Sequence, residues 1–164
     1  MPLVRVDALE GRDKDEIKAL LDAIHRAVLS AFNVPQRDRY QIYQGHPESN
    51  LILEDTGLGI ERTRNVVVVT VFSRPRSQEA KQAFYKELCL ELKATCNISP
   101  SDVVVCVVPN TDSDWSFGNG RAQFLTGELQ PLPASRTRAT SYVRGTAAAP
   151  VPLCVRGASS RFTH

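Results

Sequence analysis

The sequence predicts an α/β (α+β) fold in which a tandem β-α-β repeat forms a four-stranded mixed sheet with two helices on one face. Two amphipathic helix patterns, each flanked by apolar strand patterns, support this prediction. The second set follows the first at a constant offset of 64 residues, with no gap over about forty residues. The helix caps Asp13 and Ser77 fall in register, as do the stop signals at Asn33 and Asn97. We therefore interpret the chain as one unit used twice.

The first repeat is expected over about residues 2–44. Residues 3–9 form an apolar run that is typical of a strand. Asp13 is placed to cap the following helix, with Glu16 three residues later in a capping-box arrangement. Residues 39–44 alternate between polar and less polar side chains, which predicts the second strand of the unit.

The second repeat is expected over about residues 66–108. The valine-rich run 65–73 has the composition of a strand that is buried on both faces. Ser77 is a favourable helix N-cap, and the second helix is predicted to run to about Cys96. The valines of 103–108 predict the last strand.

One face of the predicted sheet has no cover within the chain, because both helices lie on the other face. Its strands are rich in valine and other apolar residues. Apolar surface of this extent is usually buried against a partner. We therefore expect the protein to be an oligomer.

A folded domain is expected over residues 1–130, followed by a disordered tail over 131–164. Four prolines interrupt any regular element in the tail: Pro131, Pro133, Pro150 and Pro152. The last 31 residues contain five arginines and no acidic residue. This composition favours disorder, and a basic arm that binds a partner is the alternative.

Composition excludes several classes of function. Residues 1–133 contain 15 basic and 18 acidic side chains, so their net charge of −3 does not favour nucleic acid as a partner. No apolar stretch is long enough to span a membrane, and early acidic residues argue against a signal peptide. The four cysteines form no Cys-x-x-Cys pair and there are three histidines, so a zinc site is not expected. Free thiols in a reducing cytoplasm are the expected state.

Pro2 is the candidate reactive residue nearest the start of the chain. Removal of the initiator methionine would leave its nitrogen as a secondary amine, which can exchange a proton or condense with a carbonyl group. Because an apolar run follows at once, the first strand would hold this nitrogen in place. The alternative is that Met-Pro is simply a common way for a protein to begin.

An aromatic segment over residues 110–125 contains the only tryptophan and two of the six phenylalanines. The aromatic residues are interleaved with glycine, aspartate and asparagine. Such a segment can cover a pocket or an interface, or it can pack a C-terminal hairpin onto the core. The spacing alone favours neither.

Four stretches of the sequence resemble the malonate semialdehyde decarboxylases of the tautomerase superfamily. They are Glu10-Gly11-Arg12, Leu53 to Gly59, Ser73-Arg74-Pro75-Arg76-Ser77, and Asp114 to Gly118 continuing to Gly127. The resemblance covers about residues 2–130 and implies a tautomerase-like domain there. It further implies a homotrimer, a small-molecule carboxylate substrate, and no metal or organic cofactor. This chain differs in continuing past residue 130, near which the family's chains end.

The resemblance also implies the roles of individual residues. The implied catalytic residues are Pro2, Asp38, Arg74 and Arg76. The implied hydrophobic wall of the substrate site consists of Trp115, Phe117, Phe124 and Leu129. From the residues alone, Asp38 could instead form surface ion pairs, and the two arginines could be a solvated pair before a helix.

The expected reaction is decarboxylation of a 3-oxo acid, for which the enzyme must stabilise the resulting enolate. A protonated Pro2 can donate to the substrate carbonyl, or Pro2 can form an iminium ion with it. The reference pKa of a terminal amine is about 7.7–8.0; Asp38 would raise that of Pro2, and Arg74 and Arg76 would lower it. In an extended segment the two arginines point the same way and can hold one carboxylate. Their expected role is to orient the breaking bond, because attraction alone stabilises the substrate.

Three other functions remain open from the sequence. A neutral Pro2 could act as the base of a keto–enol tautomerase. Asp38 could activate water for the hydration or dehalogenation of a 3-haloacrylate. The protein could also be a trimer that has no catalytic activity and acts through its surface.

Overall fold

The computed structural model describes residues 2–129, in which four strands and two long helices follow one another as β1-α1-β2-β3-α2-β4. The strands are β1 (Pro2–Leu9), β2 (Tyr40–His46), β3 (Val67–Ser73) and β4 (Val103–Pro109), and the helices are α1 (Lys14–Phe32) and α2 (Gln78–Cys96). The predicted tail lies outside the described residues. No helix within 2–129 is both long and apolar enough to cross a bilayer.

The two helices confirm the predicted repeat. Each has 19 residues, and α2 begins and ends 64 positions after α1. Asp13 caps α1 in a capping box with Glu16, and Ser77 caps α2 by accepting a hydrogen bond from the Ala80 amide at 3.2 Å. Both helices end on an asparagine in the left-handed region, Asn33 at φ 47° and Asn97 at φ 53°, a conformation that asparagine tolerates better than most residues.

The sheet is mixed, with strand order β2-β1-β3-β4. β1 runs parallel to β2 and β3 runs parallel to β4, whereas the central pair β1 and β3 is antiparallel. The first residues of β1 and β2 therefore lie at the same edge as the last residues of β3 and β4. In register, Pro2 pairs with Ser73, and Ser73 pairs with Pro109. This topology places the starts of β1 and β2, the ends of β3 and β4, and the loops attached to them around Pro2.

The core lies between one face of the sheet and the two helices. Val6, Val67, Val69 and Val71 are fully buried there, and they pack in one cluster with residues of both helices such as Leu20. Burial alternates along β3 instead of being continuous. The expectation of a strand buried on both faces is therefore not met within one chain, because both helices cover the same face.

The opposite side of the sheet, here called the uncovered face, is mostly apolar. It carries Leu3, Arg5, Asp7, Tyr40, Ile42, Gln44, His46, Val68, Thr70, Phe72, Val104, Cys106 and Val108. Its polar side chains include a paired group, in which Arg5 Nε lies 2.9 Å from Asp7 Oδ2 and His46 Nε2 lies 2.7 Å from Asp7 Oδ1. The hydrogen bond from Arg5 holds the pKa of Asp7 below its usual value.

Strand β3 begins at Val67, two residues later than the valine-rich run predicts. The reason is a side-chain contact from a distant loop. Asp102 is fully buried and accepts hydrogen bonds from the backbone amide of Thr63 at 2.6 Å and from its hydroxyl at 2.7 Å. Thr63 in turn closes a turn in which the Val66 amide donates to its carbonyl oxygen at 3.2 Å, and this turn delays the strand.

The repeat also relates the two edges of the sheet. At an offset of 64, Arg12 corresponds to Arg76, and Asp38 corresponds to Asp102. Arg12 donates to the carbonyl oxygens of Leu9 at 3.4 Å and Asn65 at 2.8 Å. The edge opposite Pro2 thus carries an arginine and a buried aspartate in equivalent positions.

Candidate active site

Pro2 and Asp38 line the same cleft, together with His25 and Tyr40. The Pro2 side chain is fully buried at the start of β1. Asp38 lies in the loop that leads into β2, and it is 6% exposed. In the single chain this cleft is shallow and encloses no space large enough for a water molecule.

The loop that carries Asp38 is braced from helix α1. The Asp38 amide donates to the Pro35 carbonyl at 2.9 Å, which closes a turn. Nε2 of the buried His25 lies 3.0 Å from the carbonyl oxygen of Gln36. The sequence did not single out His25, because its contact is with a backbone oxygen eleven residues away. The position of Asp38 is therefore fixed by both a local turn and a helix.

Arg76 is anchored where helix α1 ends. Its Nε donates to the Ser73 hydroxyl at 2.9 Å, and its Nη1 donates to the Phe32 carbonyl at 3.1 Å. That carbonyl belongs to the last turn of α1, where no intrahelical donor remains. The guanidinium carbon also lies 4.8 Å from the centre of the Phe32 ring. Burial, and then the charge of Arg74, lowers the pKa of Arg76, whereas Asp38 opposes this shift.

Arg74 is held on the other side, by the segment that follows β4. Its Nε lies 2.7 Å from Oδ1 of Asp112, and its Nη2 donates to Oδ2 at 3.1 Å. The guanidinium carbon lies 5.4 Å from the centre of the Phe124 ring. Asp112 was not among the predicted site residues. The parallel pairing of β3 with β4 would have been the signal, since it places the residues after β4 beside those after β3.

The aromatic segment forms a cluster that reaches the cleft. Trp115 stacks on Phe117 with ring centres 5.4 Å apart, and Phe124 meets Phe117 edge-on at 5.4 Å. Tyr40, which lines the cleft, lies 5.9 Å from Phe117. Leu129, the fourth residue of the implied wall, remains 37% exposed. Phe117 therefore contacts two of the other three implied wall residues, Trp115 and Phe124.

The alternative of a C-terminal hairpin is not realised within residues 110–129. That range contains a short 3-10 helix over Asp112–Asp114 and a series of turns. Trp115 is fixed by a hydrogen bond from its Nε1 to the Asn110 side chain at 2.9 Å. The Asn110 amide itself donates to the Ser73 carbonyl at 2.9 Å. The cluster is thus attached to the end of β3, next to Arg74.

These residues place three kinds of chemical group at one edge of the sheet. Pro2 can supply an amine once Met1 is removed, Arg74 and Arg76 supply two guanidinium groups, and Asp38 supplies a carboxylate. The aromatic cluster supplies an apolar border. Across residues 2–129, no group of three or more His, Cys, Asp or Glu side chains is arranged to hold a metal ion. Guanidinium groups are the side chains that bind carboxylates most specifically, and two of them lie at this edge.

Two family models match this chain, both described as tautomerase enzyme, over residues 38–118 and 2–60. The probable tautomerase YrdN of Bacillus subtilis (strain 168) is 54% identical over 129 residues, which is 79% of this chain and all of the relative. The probable tautomerase YusQ of the same strain is 29% identical, and the alignment covers 76% of this chain and 99% of the relative.

Among solved structures, a malonate semialdehyde decarboxylase described with decarboxylase and hydratase activities is similar to this chain. It is 53% identical with a TM-score of 0.76, and 78% of this chain and 99% of that chain are covered. FG41 malonate semialdehyde decarboxylase inhibited by 3-bromopropiolate is 38% identical with a TM-score of 0.75, covering 79% and 99%. Native fused 4-OT, at 17% identity and a TM-score of 0.60 over 76% and 98%, shares the fold.

Proposed function

The chain belongs to the tautomerase superfamily, and from this premise we propose that it decarboxylates a short 3-oxo acid, malonate semialdehyde, to acetaldehyde and carbon dioxide. The observation that carries the proposal is the placement of Pro2, Asp38 and Arg76 around one edge of the sheet. Pro2 and Asp38 share a cleft, and Arg76 is bonded to Ser73, the register partner of Pro2. The similarity to malonate semialdehyde decarboxylase at 53% identity supports the choice of reaction.

In this proposal the arginines bind the carboxylate and the amine handles the carbonyl. Arg74 and Arg76 hold the carboxylate so that the breaking carbon–carbon bond stands perpendicular to the carbonyl plane. Protonated Pro2 donates to the carbonyl oxygen and stabilises the enolate left when carbon dioxide departs. The enolate carbon then takes one proton, from the Pro2 ammonium or from water, to yield acetaldehyde. Trp115, Phe117, Phe124 and Leu129 border the site and limit its hydration. No metal or organic cofactor takes part in this scheme.

A second candidate is hydration or dehalogenation of a 3-haloacrylate on the same site. Asp38 favours it, because a carboxylate that is 6% exposed and lines the cleft with Pro2 is placed to activate a water molecule. Keto–enol tautomerisation, with neutral Pro2 as the base, is the third. The relatives named probable tautomerases favour its inclusion.

The test of function uses protein whose loss of Met1 has been verified by mass. It is assayed in parallel with malonate semialdehyde, phenylpyruvate and the 3-chloroacrylates. We expect the highest kcat/KM with malonate semialdehyde and the release of one acetaldehyde per substrate. Preference for phenylpyruvate would replace the proposal with tautomerisation, and absence of turnover on all of these substrates would refute it.

We also propose that the protein is a homotrimer that buries the uncovered face. Fused 4-OT, which has the same fold, has been solved as a trimer. We place it in the cytoplasm, because Cys89, Cys96 and Cys106 are free thiols. Neither nucleic acid nor a membrane is a partner in this proposal.

Ile42→Lys is expected to convert the trimer to monomers, as measured by light scattering after gel filtration. Ile42 lies on the uncovered face and is 50% exposed in the single chain. A lysine buried there without a partner would cost several kcal/mol, roughly the penalty of one desolvated charge. Leu90→Lys is the matched control, because Leu90 is 64% exposed on helix α2, away from the sheet. A trimer that persists in Ile42→Lys would contradict the proposed interface.

A further inference from the structure

The two arginines of the site differ in how their charges are balanced. Arg74 is paired with the Asp112 carboxylate, with N–O distances of 2.7 and 3.1 Å. Arg76 is bonded to two neutral acceptors, the hydroxyl of Ser73 and the carbonyl of Phe32. A partly buried guanidinium that is bonded to neutral groups keeps more of its attraction for an anion than one already paired with a carboxylate.

Asp112 occupies one whole edge of the Arg74 guanidinium. Nη2 donates to Oδ2, and Oδ1 lies within ion-pair distance of Nε on the same side of the guanidinium. The Phe124 ring, 5.4 Å from the guanidinium carbon, contacts the same group. A substrate carboxylate can then reach Arg74 only at its remaining edge. Its main ionic contact within residues 2–129 would be with Arg76.

The site therefore has a limited capacity for negative charge. Asp112 offsets part of the charge of Arg74, and the charge of Asp38 acts on Arg76 against the lowering of its pKa. What remains for a ligand is the charge of Arg76 and, when it is protonated, that of Pro2. A second carboxylate on the ligand would meet Asp38 or Asp112, and like charges at short range repel.

We propose that Asp112 determines the charge class of the substrate, so that the site binds monocarboxylates and rejects dicarboxylates of the same length. The proposal deepens the proposed function and rests on it for the location of the site. A weaker ion pair between the arginines and the substrate carboxylate also favours decarboxylation. The carboxylate leaves as neutral carbon dioxide, so a tighter ion pair would stabilise the substrate more than the transition state.

Ligand binding tests the proposal without any need for turnover. Trp115 is the only tryptophan of the chain and stacks on Phe117, so its fluorescence reports on the site. The probes are 3-hydroxypropionate, which carries one carboxylate, and malonate, which carries two. We expect the wild-type protein to bind 3-hydroxypropionate at least about tenfold more tightly than malonate. In Asp112→Asn, we expect malonate to bind about tenfold more tightly than in the wild type, as expected for removal of one nearby negative charge.

Asp114→Asn is the matched control. It makes the same change of charge on the same loop, but Asp114 bonds Thr111 and not Arg74. We expect it to retain the wild-type preference, and so should the charge-conserving variant Asp112→Glu, which also serves if Asp112→Asn folds poorly. Equal shifts in Asp112→Asn and Asp114→Asn would overturn the proposal, as would unchanged malonate binding in Asp112→Asn. Loss of 3-hydroxypropionate binding in Asp112→Asn would mean that the only role of Asp112 is to hold Arg74 in place, and this result would also overturn the proposal.

Binding and turnover separate the two proposals. A protein that shows the expected binding preferences but no decarboxylation would refute the proposed reaction and leave the role of Asp112 intact. If the protein is a decarboxylase and its Asp112→Asn variant shows no change in malonate affinity, the proposed reaction stands and the role of Asp112 is refuted. If the enzyme is active, Asp112→Asn should also lower KM and kcat together, since it strengthens binding of the ground state.

Discussion

Arg76→Ala is expected to lower kcat/KM for malonate semialdehyde by roughly 10²–10³-fold, the usual loss when one partner of a buried ion pair is removed. Arg76 is anchored to Ser73 and Phe32, beside the strand position opposite Pro2. Its charge has no carboxylate bonded to it within residues 2–129, so substrate would be its counter-ion. Steady-state kinetics would measure the loss, and we expect it chiefly in KM for substrate binding and partly in kcat for orientation.

Arg12→Ala is the control that the repeat offers. Arg12 occupies the position equivalent to Arg76 at the other edge of the sheet and likewise donates to two neutral acceptors, the carbonyl of Leu9 at the end of β1 and that of Asn65 in the turn before β3. Both variants should lose a similar amount of thermal stability, but only Arg76→Ala should lose activity. An equal loss of activity in the two variants would mean that the arginines act through folding, and the proposed site would be wrong.

Retention of Met1 is expected to reduce kcat by roughly 10²–10⁴-fold, the contribution of one positioned acid or base. A proline nitrogen inside a peptide bond has neither a proton to donate nor basicity. Protein made with methionine aminopeptidase inhibited would carry Met1, as confirmed by mass. Treatment of that same sample with the aminopeptidase should restore activity, which controls for misfolding. Full activity before treatment would exclude the Pro2 amine from the reaction.

The pH dependence of the processed enzyme then assigns the role of Pro2. If the ammonium form acts as an acid, activity falls as the pH rises through the titration of the amine. If the neutral form acts as a base, activity falls as the pH drops through the same titration. Nitrogen NMR of labelled Pro2 identifies that titration independently of turnover.

The fold was predictable because its signals are local and occur twice. The caps Asp13 and Ser77 and the stop residues Asn33 and Asn97 each act within one turn of their own helix, so the sequence contains all the information needed to place them. The start of β3 was less predictable. It depends on the contact of Thr63 with Asp102, and that contact spans 39 residues.

Some residues of the candidate site could likewise be predicted from the sequence, and others could not. Pro2 and the two arginines could be inferred from their chemistry and from the family resemblance. The partner of Arg74 could not, because Asp112 is 38 residues away and meets it only through the register of β3 with β4. His25 likewise contacts the backbone of the Asp38 loop, and a contact with a backbone atom leaves no pattern in the sequence. Whether the aromatic residues covered a pocket or formed a hairpin also depended on tertiary structure.

The two edges of the duplicated sheet differ in one respect that duplication itself imposes. The edge opposite Pro2 has its own arginine, Arg12, and its own buried acid, Asp102. Val66 is the residue there that corresponds to Pro2 in the repeat. A residue inside a chain cannot present a secondary amine, since its nitrogen is committed to a peptide bond. If Pro2 reacts as proposed, joining two such units end to end halves the number of reactive termini for each sheet. The opposite end then needs no catalytic residue, and there Asp102 holds Thr63 through two hydrogen bonds.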